Sequence, residues 1–305
     1  MKKYLLSESG TFYRANLHCH TNISDGKYTP EETKKFYKDE GYSIIAFTDH
    51  RKFVRHPELC DESFLALNGF EADISEPTPG GWSLTMKTCH LCAIALDENT
   101  ETAPSCAGIS YDGESISAYI KSCKDAGFFV TYNHPTWSLE SYPEYMGYKG
   151  ADALEIVNYG CVVEGFNDRN DHCYDDMLRG GERLFAVGAD DNHNEAHHFG
   201  GYTMIKADSL TYDAISKSLK EGNFYASEGG PKIEELYIED GQVHVKTDCA
   251  REIFFSTDRR ICNYVKGSEA SFALGEFDYF RITAVGEDGR CSWTRAYFLF
   301  DKKRK

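Results

Sequence analysis

An α/β domain followed by a shorter all-β domain is the architecture that this sequence predicts, and three observations predict it. From residue 12 to about residue 228, short apolar runs alternate with helical stretches, the pattern of an α/β fold with a mostly parallel sheet. Residues 232 to 300 then read as strands throughout, with Asp240-Gly241 and Asp288-Gly289 marking hairpin turns. Between the two textures lies Gly229-Gly230-Pro231, which sets the expected boundary. Residues 1–228 form the larger domain and residues 229–305 a small antiparallel, sandwich-like one.

The first strand is "YRANLHCH", and the helix after it opens on Thr29, Pro30 and Glu32. These occupy the N-cap, N1 and N3 positions of a capping box, with proline where its missing N–H costs nothing. Gly41 is placed to end that helix, and "YSIIAFT" is the next strand. Further strands follow at "FLALNGFEADI", "KTCHLCAIAL", "GFFVTYN", "DALEIVN" and "RLFAVGA". Helical stretches fall at Ile116 to Ala126 and Tyr212 to Glu221, and residues 98 to 113 form a loop. About seven strand units suit a closed or distorted TIM-type barrel, although their spacing is equally that of an open doubly wound sheet. In the C-terminal stretch the strands are "IEELYIE", "QVHVKTD", "EIFFST", "YFRITAVG" and "RAYFLF", and the tail "DKKRK" reads as a solvated end.

Eleven cysteines, an odd number scattered from Cys19 to Cys291, suit free thiols in a reducing compartment. Cys89 and Cys92 form a CxxC, but with no second pair at matching spacing they read as strand-lining thiols and not a zinc knuckle. The N-terminal residues offer too short an apolar run for a signal peptide, and no stretch reaches the ~20 apolar residues of a membrane span. A cytoplasmic protein is the expectation. The net charge of −16 opposes binding to nucleic acid polymers or anionic membranes, and part of it is of the kind that bound cations offset.

The chemistry gathers at strand ends. Side chains alternate faces along a strand, so His18 and His20 project to the same side, two imidazoles able to converge on one cation. His50 ends the second strand, Glu71 follows in the third, His90 lies in the fourth and His134 closes the fifth. The last strand of the α/β stretch delivers Asp190, Asp191 and His193. In parallel α/β architectures the carboxyl ends of the strands meet on one face, so six of the 11 histidines converge there. With Asp25, Glu71 and Asp191 they make nine candidate ligands, which fit two or three ions better than one. Imidazoles mixed with carboxylates suit Zn, Mn or Fe; an all-oxygen set would suit Mg or Ca.

"HCHTNISDG", "FTDH", the glutamate of "GFEADI", His90, "NHP" and "GADDNH", in this order, closely resemble the motifs of the PHP (polymerase and histidinol phosphatase) metallohydrolase family. The stretch from His197 to Pro231 further resembles the CehA/McbA-like branch, which carries a β-rich C-terminal extension. This resemblance implies a distorted (β/α)7 barrel with a bi- or trinuclear centre at the strand C-termini. It assigns His18, His20, Glu71 and Asp191 to one ion, and Glu71 with His90 and His134 to a second. Asp25, His50 and His193 fall to a third. The family's last motif reads Gly-Ser-Asp-x-His, whereas here Asp190 and Asp191 are adjacent. Spacing to His193 favours Asp191 as ligand, which leaves Asp190 to orient an imidazole or to be the ligand itself if the chain bulges.

A water bridging two such ions is deprotonated near neutral pH, and the resulting hydroxide, held by the metal ligands, is the expected nucleophile. No serine sits in a GxSxG context to compete with it. The expected activity is hydrolysis of a small phosphorylated substrate, a nucleotide or sugar phosphate. Carbamate or carboxylic ester hydrolysis, known within the same branch, is the alternative, and a non-catalytic metal-stabilised binding module is a further one. Arg51, Lys52, Arg55 and His56 make the densest basic cluster near the site, and Arg51 or Arg55 is the candidate phosphate clamp; a solvated loop pairing with Glu58 or Asp61 is the competing reading. His197 and His198 are placed either at the pocket mouth or on the surface.

Overall fold

The computed structural model describes residues 1–81, 83–260 and 262–300; the 301–305 tail, expected to be a solvated end, lies outside them. The chain opens with β1 (Lys3–Tyr4), β2 (Thr11–Asn16), α1 (Pro30–Asp39), β3 (Ile44–Phe47), β4 (Leu65–Ser75) and β5 (Thr88–Ala95). It continues through α2 (Gly113–Asp125), β6 (Phe128–Tyr132), α3 (Tyr142–Tyr145), β7 (Ala153–Asn158), α4 (Tyr159–Val163), α5 (Asp171–Gly180) and β8 (Phe185–Ala189). Then come β9 (Tyr202–Ala207), α6 (Tyr212–Glu221), β10 (Phe224–Ser227), β11 (Ile233–Glu239), β12 (Gln242–Thr247) and β13 (Glu252–Thr257). The last strands are β14 (Cys262–Lys266), β15 (Glu269–Ala273), β16 (Tyr279–Val285), β17 (Cys291–Thr294) and β18 (Tyr297–Phe298). The capping box of α1 forms as the sequence predicts: Thr29 Oγ1 accepts from the Glu32 N–H at 3.2 Å, and Glu32 Oε2 from the Thr29 N–H at 3.0 Å.

The large sheet runs β14-β13-β16-β17-β10-β9-β2-β3-β4-β5-β6-β7-β8, with β18 beside β16. β2-β3-β4 and β6-β7-β8 pair in parallel, but β5 is antiparallel to both its neighbours and β9 is antiparallel to β2. The sheet is therefore more mixed than the alternation predicts. Its departure begins where β4 extends to 11 residues and the chain returns to β5 through residues 76–87, with no crossover helix among the described residues. Among the described residues no ladder closes β8 onto β2 or β9. The ends meet through isolated contacts: a parallel bridge of Cys19 with Asn192, the Asp191 N–H donating to the His18 carbonyl at 3.0 Å, and Thr203 Oγ1 bonded to both N and O of Gly188. The expected barrel is therefore not closed by strand pairing among the described residues, and the two ends of the sheet touch only at these points.

In the C-terminal stretch β17 pairs antiparallel with β10, so β13, β14, β16 and β17 extend the large sheet. β11, β12 and β15 form a second sheet that takes in β1. Apolar residues of the two sheets, among them Leu236, Val243, Phe255, Phe272 and Ile282, share one core. All 11 cysteines are free thiols, Cys89 and Cys92 buried in β5. Among the described residues no helix is long and apolar enough to cross a membrane.

Candidate metal centre

Glu71, within β4, is the hub of a buried cluster formed with His90 of β5 and with residues that follow the ends of β2, β3, β6 and β8. Its Oε1 lies 3.2 Å from His18 Nε2, 3.1 Å from His90 Nδ1 and 3.3 Å from His134 Nε2. Its Oε2 lies 3.1 Å from His50 Nδ1 and 3.4 Å from His20 Nε2. Asp191 Oδ1 sits 3.1 Å from both His18 Nε2 and His20 Nε2, which are themselves 3.0 Å apart. On the solvent side Asp25 lies 3.5 Å from His50 Nε2 and His193 Nε2, and 3.6 Å from His20 Nδ1. All nine predicted residues fall into four overlapping donor sets: His18, His20 and Asp191; His18, Glu71 and His134; His50, Glu71 and His90; and His20, Asp25, His50 and His193.

These separations are informative. Ligands about 2.1 Å from a common ion stand about 3.0 Å apart at a right angle and about 3.4 Å apart at the tetrahedral angle. Hydrogen bonding leaves part of the cluster unexplained: Glu71 Oε2, His50 Nδ1 and Asp191 Oδ1 are buried with no hydrogen-bond partner, despite neighbours at 3.1 Å. Buried polar atoms are rarely left so, and three of them aimed into one cluster fit cations held between oxygen and imidazole nitrogen.

The charges are mutually held. Burial alone would raise the Glu71 and Asp191 carboxyls, but the surrounding histidines hold both well below the usual carboxylate range. Burial opposes charge on His20, yet hydrogen bonds and charge from Asp191 and Glu71 push it up to about 9; His134 rises to about 9, chiefly through Glu71 and Asp191 against the same burial. His50 is pulled down to about 4, by burial first and by His20 and His90 against the opposing pull of Glu71.

Local backbone shapes the cluster. His134 at φ 22° and Asp191 at φ 50° occupy the left-handed region, uncommon for non-glycine residues and frequent at functional sites. Gly26 lets the loop after β2 fold onto the His20 carbonyl, where a Cβ would come within 2.5 Å. Gly160 lets α4 approach Asp190 and Asp191, whose carbonyl oxygens a Cβ would meet at 2.8 Å. Asp49 accepts from the N–H groups of Thr21 and Ser24 and from both their hydroxyls, fixing the loop that carries Asp25.

From the sequence, Glu155 is a strand acid not expected to touch metal; the structure keeps it out of the donor sets and places it against two of their members. Its Oε1 is 2.6 Å from His18 Nδ1, while Oε2 accepts from the His134 N–H at 3.1 Å and from Asn158 Nδ2 at 2.9 Å. The available signal was a lone acid inside the wholly buried strand "ALEIVN". Asp190 touches no imidazole: it accepts from Tyr37 Oη and from the N–H groups of Phe199, Gly200 and Gly201. Burial pushes its carboxyl up to about 6, against those hydrogen bonds.

A cavity of about 310 Å³ opens on the cluster, lined by Asp25, His50, Glu71, His90, His134, Asp191 and His193 together with Trp137, Cys161 and His197. His197 is buried in that lining, whereas His198 packs against Tyr37 and Phe199. Arg51 and Arg55 do not line this cavity. The Arg51 guanidinium is clamped by both oxygens of Asp73, through Nε at 2.7 Å and through Nη2, and borders a different cavity with Phe53 and Phe70. In this structure the guanidinium is therefore already paired and turned to a carboxylate outside the site cavity.

The PHP domain family matches residues 16–241, well over half of the chain. No curated protein matches. Among solved structures, a two-domain protein containing a predicted PHP-like metal-dependent phosphoesterase from Bacteroides vulgatus is 14% identical at a TM-score of 0.49, covering 97% of this chain and 98% of its own. A provisionally assigned metal-dependent phosphoesterase from Bifidobacterium adolescentis is 15% identical at a TM-score of 0.42, covering 70% of this chain and 98% of its own. The lesion-specific endonuclease EndoQ from Pyrococcus furiosus is 12% identical at a TM-score of 0.41, covering 69% of this chain and 56% of its own.

Proposed function

The chain belongs to the PHP domain family and is a metal-dependent hydrolase; from that premise we propose that it hydrolyses the phosphoester of a small molecule. The observation that carries this reading is the Glu71 hub, one buried carboxylate within 3.4 Å of five imidazoles with its Oε2 unpartnered. His18, His20 and Asp191, with Glu71 beside them, would hold one ion; Glu71 would share a second with His134 or with His50 and His90; and His20, Asp25, His50 and His193 would hold a third, the ions being Mn, Zn or Fe. When bound, these ions supply Lewis acidity and lower the pKa of coordinated water toward about 7. Glu155 fixes the tautomer and angle of His18; Asn133 Nδ2, donating to Glu71 Oε1 at 2.8 Å, steadies the hub. Trp137 shields the His90 and His134 side of the cluster from water, its ring 5.4 and 5.1 Å from theirs. Residues 1–228 are the hydrolase unit and residues 229–305 an appended β-unit of the CehA/McbA-like kind, in a cytoplasmic protein whose acidity disfavours nucleic acid polymers.

Carboxylic or carbamate ester hydrolysis is the second reading. The observation favouring it is that no lysine or arginine is among the described residues lining the site cavity.

The test is phosphate release from a panel of phosphate monoesters by the Mn-loaded protein, beside a chelator-treated sample and His18→Ala. Release that falls at least about a thousandfold in both controls is the expected result. Metal bound by elemental analysis with no phosphate released from any ester would overturn the phosphoester reading and favour the second.

A further inference from the structure

A second cavity, about 470 Å³ in volume, lies beside the first and shares Asp25, His50, His90 and Trp137 with it. Its outer wall is apolar, built from Leu84, Met86, Leu139 and Phe166. Among the described residues eight large hydrophobic side chains are exposed, and four of them, Leu84, Trp137, Leu139 and Phe166, line this one hollow. Exposed apolar side chains scattered singly need no explanation, but a concave concentration touching a reactive centre does. No described lysine or arginine lines it either, and its charged groups include the carboxylates of Asp25 and Asp73. Asp73 is already paired with Arg51, so a polyanionic group entering here would lose hydration with no free cationic side chain of the wall to receive it, whereas an apolar group would leave water for an apolar wall.

We propose that this cavity is the leaving-group subsite, and that the leaving group is an uncharged apolar moiety of one or two rings in size, stacked at Trp137, and not a sugar or a nucleoside phosphate. Its occupant rests on the hydrolase reading above; its apolar character rests on the wall alone. Trp137 stands at the junction, 36% exposed, so the scissile bond faces the cluster while the leaving group meets the indole and the Leu139–Phe166 side.

Two measurements on the full chain test it, with Leu139→Asp and Phe166→Asp as the variants and Tyr264→Asp, at a remote exposed position, as the control. The first is binding of the uncharged fluorescent probe N-phenyl-1-naphthylamine and its displacement by benzyl alcohol, which needs no turnover. Affinity at least tenfold weaker in both cavity variants and unchanged in the control is expected. The second compares kcat/KM for benzyl phosphate and ethyl phosphate, whose alcohols are similarly acidic. The wild type is expected to prefer the benzyl ester at least tenfold, and the variants to lose that preference through KM. Equal binding and equal preference in wild type and variants would overturn the subsite. Variant-sensitive probe binding without hydrolysis of either phosphate would uphold the apolar subsite and defeat the phosphoester reading.

Discussion

Glu155 shows how one side chain governs a centre it does not join. A carboxylate 2.6 Å from His18 Nδ1 leaves Nε2 to face Glu71 and Asp191, the geometry by which an outer acid orients an imidazole ligand and raises its basicity. Glu155→Gln, which keeps the volume and removes the charge, is expected to weaken metal affinity about 10- to 100-fold, measured by competition with a chromogenic chelator. Unchanged affinity would remove the orienting role. The nine candidate ligands that the fold gathers were legible because histidines and acids at strand ends carry their chemistry in their identity and place. Glu155 was not, since its meaning depends on a partner 137 residues away. At Arg51, adjacency in sequence to His50 says nothing about direction, and with a left-handed backbone at φ 54° its guanidinium pairs with Asp73.

At the scale of elements, the segment after β6 carries His134, Trp137 and Leu139 and is tied down by Glu140. That buried carboxyl accepts from Tyr111 Oη at 2.7 Å, from Tyr132 Oη at 2.5 Å and from Tyr148 Oη. Burial pushes it up to about 7, outweighing the three hydroxyls that favour the charge. A carboxyl whose pKa is raised on folding stabilises the fold below its unfolded value near 4.5 and loses that contribution as pH rises through about 7. Between pH 5 and pH 8, Glu140→Gln should therefore gain on the wild type by up to about 3 kcal/mol in denaturant unfolding. A difference that stays flat across that range would show that Glu140 is ionised throughout. The elements themselves were readable where local rules are strong, as in the capping box of α1 and the apolar runs of β3, β6 and β7. They were not where the sequence is polar: α5, "DHCYDDMLRG", and the edge strand β14, "CNYVK", offer no apolar run. The antiparallel setting of β5 is decided by its connections, on which a buried run is silent.

Across the whole molecule, the C-terminal strands are bound into the half that carries the metal-binding cluster. Tyr279, Trp293 and Ala296 belong to the same apolar core as Leu91, Ile156 and Tyr174. Above that core Arg281 on β16, buried, grips Asp175 on α5 at 2.8 and 3.0 Å and Asp171 at 3.1 Å. Arg281→Ala leaves those carboxylates facing a cavity and is expected to cost about 3–5 kcal/mol of stability by chemical denaturation. A loss below about 1 kcal/mol would mean that Arg281 adds little to the apolar contacts and the β10–β17 ladder that join the two halves. The second sheet makes the same connection from the other end, because Lys3 and Tyr4 pair with Ile238 and Tyr237. During synthesis those two residues leave the ribosome well over two hundred positions ahead of their partners. Closing so long a loop costs little more than closing a shorter one, but it cannot be done early. The opening strand is therefore obliged to wait, unpaired, until most of the chain has emerged, and the order in which this protein is made runs against the order in which its sheets are sealed.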